Sequence, residues 1–114
     1  MTITDEQMSL LREYRDVVAA EYPRPDGQGS RLVRAVLFGS RARGDNDDES
    51  DWDVAFFIEK LDRNREGRPL SVATARFIIE RDPGMCLFSI ILPTDPGRVS
   101  LLLLRNIGHD GIEI

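Results

Sequence analysis

Apolar residues near the start of the chain recur at helical spacing. Met8, Leu11, Tyr14, Val18 and Tyr22 follow one another every three or four positions, which puts them on one stripe. Thr4 with Gln7 three residues on reads as a capping box, so a helix is predicted over about 5–21. Two prolines and two glycines between Pro23 and Ser30 mark a loop, after which the pattern changes. Leu32 to Phe38 is a β-rich run stopped by Gly39-Ser40, and Val54 to Ile58 is a second one. The segment 59–70 is charged and carries Gly67 and Pro69 as breakers. Ser71 can then cap a helix bearing Val72, Ala75, Phe77, Ile78 and Ile79 up to about Arg81, ended by Asp82-Pro83-Gly84. Cys86 to Leu92 is apolar, too short for a helix and bounded by Pro-Gly signals, which predicts a buried third strand. After a turn over 93–97, a helix over about 98–107 should bury Leu101 to Leu104, and Gly111 to Ile114 alternates like a short end strand. The predicted class is α/β (α+β): a small mixed β-sheet of three to four strands flanked by helices.

Composition narrows this further. A chain of 114 residues, 41% hydrophobic and 31% charged, supports one core and hence one domain over 1–114. Its 15 basic and 20 acidic residues leave a net charge of −5, which lacks the positive field that phosphate-backbone binding needs, so no direct nucleic-acid partner is expected. The lone Cys86 cannot form an internal disulfide and is expected as a small buried hydrophobe in a reducing compartment. The first residues are acidic where a signal peptide needs base, and no apolar run approaches the ~18 residues that span a bilayer. No membrane partner and a cytoplasmic location are the corresponding expectations.

The chemistry lies between Leu37 and Val54. A strand ending in Gly39-Ser40 at the start of a short helix offers backbone N–H groups, and glycine lets an anion approach closely, which makes a phosphate seat. Asp51 and Asp53 open the second strand at i and i+2, so their carboxylates leave one face about 7 Å apart while Trp52 points the other way. Two carboxylates on one face suit a hard divalent cation such as Mg²⁺, which commonly combines them with substrate phosphates. Taken separately, Gly-Ser reads equally as a plain turn and the acidic run as a solvated loop. A calcium loop starting at Asp45 fails, because Ser50 stands at the sixth position in place of Gly and Phe56 at the twelfth in place of Glu. Trp52 on the opposite face fits core or interface packing. His109, the only histidine, excludes a multi-His metal site and reads as a polar turn residue. The Leu101 to Leu104 run is wider than one helical stripe and offers either core or partner surface.

Together, Phe38-Gly39-Ser40-Arg41-Ala42-Arg43-Gly44 and Ser50-Asp51-Trp52-Asp53-Val54 resemble the signature of the minimal nucleotidyltransferase (MNT) domains of the DNA polymerase beta superfamily. The segment Leu104 to Ile107 with Gly111-Ile112 looks like the end of such domains. The resemblance implies a nucleotidyltransferase (polymerase beta-like) fold, with Gly39 and Ser40 on the phosphates of ATP or another nucleoside triphosphate. It implies Asp51 and Asp53 as catalytic Mg²⁺ ligands and Arg43 pinning the loop or facing the phosphates. The family's reaction is attack of a hydroxyl on the α-phosphate with pyrophosphate leaving. Small stand-alone domains of this kind resemble antitoxins paired with a helical HEPN toxin, in which AMP passes from ATP to a hydroxyl of the partner. One departure stands out: the family's third carboxylate comes from a later strand, and Cys86 to Leu92 contains no acid. Ser89 or Leu87 is expected in its place, with Glu80, Asp82 and Asp95 as flanking substitutes. The alternative is therefore a catalytically weak or inactive antitoxin that binds nucleotide and neutralises its partner by complex formation. Self-association is left open.

Overall fold

The computed structural model describes residues 2–62, 65–81, 84–95, 97 and 100–114. Helix α1 (Asp5–Ala20) starts at the predicted cap, with the Thr4 hydroxyl accepting from Gln7 N at 3.1 Å and Gln7 Oε1 accepting from Thr4 N at 2.9 Å. These two bonds satisfy orphan N–H groups of the first turn. Leu11, Tyr14 and Val18 form its buried stripe. Tyr22, just past the helix, is also buried, and its hydroxyl donates to Glu66 O at 2.6 Å and accepts from Leu70 N at 3.1 Å.

That contact explains where the next long helix begins. Helix α3 (Gly67–Arg81) starts four residues before the predicted Ser71 cap. Pro69 is tolerated in a first turn, where its missing N–H has no intrahelical role, and Leu70 N finds the Tyr22 hydroxyl. The face is also corrected: Leu70, Ala73 and Phe77 are buried, whereas Val72, Ile78 and Ile79 are exposed.

Four strands form one mixed sheet in the order β3-β2-β1-β4. Strand β1 (Leu32–Phe38) pairs antiparallel with β2 (Trp52–Ile58) and with β4 (Ile112–Glu113), while β3 (Leu87–Pro93) runs parallel to β2. The parallel pair is joined through α3, as a parallel connection requires. Side chains alternate between faces. Ala35, Leu37, Trp52, Val54, Phe56, Ile58 and Ile91 pack against α1 and α3, with the Tyr14 ring 5.5 Å from Phe56 and 5.2 Å from Phe77. On the other face Val36, Ala55, Phe57 and Leu92 pack under α4 (Leu101–Asp110) through Ile107, Leu103 and Leu104.

Helix α4 therefore meets the sheet by part of its leucine run. Leu101 and Leu102 are 82% and 67% exposed and Leu103 and Leu104 are partly buried, so the expected burial of all four is corrected to a partial contact by the last two. The turn from α4 into β4 is tight, because a Cβ on Gly111 would run into the Ile107 carbonyl and Val36. His109 lies in the last turn of α4, its ring 3.0 Å from Asp110, and not in a loop. Cys86 is exposed just ahead of β3, contrary to its expected burial. Strand β3 is a sheet edge, which leaves Phe88 open to solvent.

Candidate active site

The site is assembled where β1 ends and β2 begins. Phe38 is the ladder partner of Asp53, so the chain leaving β1 and the chain entering β2 lie side by side. Gly39 follows with φ 77° and ψ −159°, a conformation that side-chain-bearing residues rarely adopt. A Cβ there would collide with Asp53 Oδ2, so the carboxylate occupies the space that glycine leaves vacant. Ser40 then opens α2 (Ser40–Arg43), a single turn closed by Gly44 in the left-handed region, whose N–H donates to Ser40 O at 2.9 Å. Strand β2 begins at Trp52, two residues earlier than its apolar run suggests, so Asp53 is a true strand residue and Asp51 is the exposed residue leading in.

The Asp53 carboxyl is pushed above the ordinary carboxylate value, first by burial and then by the Asp51 charge, with Arg43 pulling it back. Those three side chains thus share one electrostatic neighbourhood. Arg43 is exposed and also pairs with Asp45, Nε to Oδ2 at 3.2 Å. Trp52, between the two aspartates, is buried on the helical face as expected. All five predicted residues, Gly39, Ser40, Arg43, Asp51 and Asp53, are brought to one end of the β1–β2 pair.

The strand expected to supply a third carboxylate is phased differently from the prediction. Asp53 pairs with Phe88, and Ser89 pairs with Val54, whose side chain faces the helices. Ser89 accepts a hydrogen bond from the Tyr14 hydroxyl at 2.9 Å, beside Thr74 at 2.6 Å from the same oxygen. Ser89 and Leu87 are therefore turned away from Asp53, and Phe88 occupies the neighbouring place on its face. Glu80 pairs with Arg76 along α3 at 3.3 Å. Asp95 follows the far end of β3, roughly 20 Å along the strand from the Asp53 end at the usual rise per residue. Asp82 lies outside the described residues. Among the described residues no group of three His, Cys, Asp or Glu side chains could hold a metal ion.

The family model for polymerase beta nucleotidyltransferases matches residues 28–82, which contain this whole arrangement. A nucleotidyltransferase structure from Sulfolobus solfataricus superposes with a TM-score of 0.56 at 26% identity, covering 92% of this chain and 76% of that one. Residues 28–82 thus match the nucleotidyltransferase family, and the chain shares the nucleotidyltransferase fold. A Methanocaldococcus jannaschii protein named as a protein adenylyltransferase is 36% identical over 52 residues, 46% of this chain. The match spans about half (52%) of that relative's length. A chain of the toxin–antitoxin pair MntA–HpeT, in a mutant form, shares the fold with a TM-score of 0.55 at 16% identity, covering 96% of this chain and 69% of that one.

Two residues beside the candidate site carry no clear signal in the sequence. Phe88 had no alternation to fix its face within a continuous apolar run. Arg41, two residues before Arg43, is buried, and nothing in the pattern of a one-turn helix announces that burial. No helix among the described residues is long and apolar enough to cross a membrane.

Proposed function

We propose that this domain transfers AMP from ATP to a hydroxyl of a helical, HEPN-type toxin partner, as the antitoxin of such a pair. The observation that carries the reading is the seating of the Asp53 carboxylate against Gly39, with Asp51 and Arg43 in its electrostatic reach. The adenylyltransferase name of the Methanocaldococcus relative and the toxin–antitoxin neighbour support it.

Two like charges on one face, one of them partly desolvated, fit a hard divalent cation that would relieve their repulsion. Asp51 and Asp53 would hold Mg²⁺, which when bound neutralises charge on the triphosphate and on the leaving pyrophosphate. Gly39 makes room for Asp53 beside the phosphate seat, its own N–H would face the phosphates, and the Ser40 hydroxyl would donate to a phosphate oxygen. Arg43 faces the same anion with a forked cation. The partner's hydroxyl oxygen forms a bond to the α-phosphorus as the bond to the bridging oxygen breaks, pyrophosphate leaves, and the hydroxyl proton passes to solvent water. Holding those groups in line is the domain's main contribution.

A second reading has its own observation. With Phe88 next to Asp53 and no third acid among the described residues, the site has no evident group to take the hydroxyl proton. A domain of this kind would bind nucleotide and neutralise its toxin by occupying it. Incubating the purified chain with α-labelled ATP, Mg²⁺ and the partner decides between them. Label on the partner, lost in Asp53→Ala, is the expected result. Neutralisation without label selects the binder. Calorimetry giving the same Mg²⁺-dependent ATP binding in wild type and Asp53→Ala would overturn the assignment of the site.

A further inference from the structure

We infer that Arg41 is the positioning residue of this site, a clamp that couples the phosphate seat to the carboxylate pair from beneath. This rests on the assignment of Ser40, Asp51 and Asp53 above. Arg41 is 8% exposed, and a buried cation must be met by acceptors. Its Nη2 donates to Ser50 O at 3.0 Å and to Asp48 O at 3.3 Å, while Nε donates to Ser50 O at 3.2 Å. Its Cζ stands 4.3 Å from the centroid of the Trp52 ring, so the guanidinium plane uses the π face as well.

Each end of this clamp is one residue from a group of the site. Arg41 follows Ser40 in α2. The Ser50 carbonyl belongs to the peptide that leads into Asp51. Trp52 stands between Asp51 and Asp53, its ring on the helical face, opposite the side of the sheet that the ladder residue Asp53 faces. Fixing the Ser50 peptide and the indole together fixes the direction in which Asp51 leaves the backbone, while Asp53 is held by the β1 ladder and by Gly39. Asp51 is exposed and precedes the strand; the peptide after it is held by Trp52 N donating to Cys86 O at 2.7 Å, and Arg41 holds the peptide before it, so without Arg41 only one side of Asp51 stays fixed. The clamp does for Asp51 what groups behind a metal ligand do generally: it holds one orientation in advance of binding.

The test measures Mg²⁺-dependent ATP binding in the full chain for wild type, Arg41→Lys, Arg41→Met and Asp53→Ala, with Trp52, the sole tryptophan, as fluorescent reporter. Lysine keeps the charge and loses the fork and the stack. The expected result for Arg41→Lys is a rise of at least about tenfold in the Mg²⁺ needed for half-maximal ATP binding, the scale seen for groups behind metal ligands. Saturating Mg²⁺ restores ATP binding in that variant and fails to restore it in Asp53→Ala. A merely structural role would lower the melting temperature and the amount of competent protein, with the Mg²⁺ midpoint unmoved, and that result overturns the clamp. Arg41→Met fills the space without charge and supplies the same readout if the lysine variant does not fold. Failure of both to fold makes Arg41 a folding residue and also overturns the proposal. Asp53→Ala with a wild-type Mg²⁺ midpoint sinks the site assignment itself, a result separate from any obtained at Arg41.

Discussion

Replacing Phe88 with aspartate should put a third carboxylate beside the existing pair, and the same change at Ser89 should not. Phe88 is the ladder partner of Asp53, and neighbouring strands lie about 4.8 Å apart, so an acid at 88 leaves the sheet on the Asp53 face. Phe88 is 56% exposed. Truncating it gives up roughly 90 Å² of buried apolar area, about 2 kcal/mol at the usual transfer coefficient. The added charge pushes Asp53 further up in the metal-free protein, a cost that Mg²⁺ offsets. Ser89 behaves differently, because it accepts from the Tyr14 hydroxyl among buried side chains. A carboxylate forced into that half-buried place, crowding the Tyr14 and Thr74 hydroxyls, costs about 1–3 kcal/mol, a sizeable share of the roughly 5–15 kcal/mol that holds a small domain together. Urea unfolding followed by Trp52 fluorescence gives the stabilities, and single-turnover pyrophosphate release from ATP with the partner present gives the rates. Phe88→Asp should remain folded and raise the transfer rate, whereas Ser89→Asp should lose stability with no gain. A faster, stable Ser89→Asp protein would refute the strand phase on which this reasoning stands. No gain from a folded Phe88→Asp would mean that alignment of the substrates, not a missing acid, limits the rate.

Three further outcomes follow from named contacts. Gly39→Ala should cost about 1–3 kcal/mol for a backbone conformation essentially reserved for glycine, and it should also weaken Mg²⁺-dependent ATP binding by displacing Asp53; calorimetry and thermal melting check the two effects. In the absence of metal, Asp53 has a folded value raised above 3.8, so the unfolded chain binds fewer protons in that window; wild-type stability relative to Asp53→Asn should fall as pH rises from 3.8 through the raised value. Glu66 has the opposite sign: the hydrogen bond from Arg31 Nη2, 2.5 Å from its Oε1, lowers it from 4.5, so that pair's stabilisation is present above 4.5 and disappears as pH falls through the lowered value. Glu66→Gln should therefore cost about 1–2 kcal/mol at neutral pH and nothing below that window, as measured by denaturant titration.

What the sequence disclosed follows the range of the forces involved. The Thr4–Gln7 cap, the α1 stripe and the limits of β1 are local, and all are where the pattern placed them. The meeting of Gly39-Ser40 with Asp51 and Asp53 was also legible, since a Gly-Ser stop and an i, i+2 acid pair each specify direction. Strand β3 gave no phase, because six of seven residues in its predicted run are apolar, and a slip of one position turns every side chain over. That is why Ser89 was assigned to the carboxylate face and Phe88 overlooked. Pro69 was read as a breaker because the Tyr22 hydroxyl that makes an earlier α3 start satisfactory is 48 residues away from Leu70 in the chain. Arg41 and Cys86 show the same limit from opposite sides, a charge buried by tertiary partners and an apolar thiol left outside by an edge strand.

The pairing of Phe38 with Asp53 has a consequence for how such a site can change over time. The distance between phosphate seat and carboxylate is set across the ladder, at hydrogen-bonding separation, and not by the number of residues that connect them. Thirteen residues, 39–51, bulge out between two points that the sheet has already joined. Lengthening such an excursion is cheap, since doubling a flexible loop adds only about 0.6 kcal/mol of closure entropy. The outer part of that loop can therefore be redrawn while Gly39, Ser40 and Asp53 stay where they are, so a site of the proposed kind could keep its geometry as the surface around it drifts.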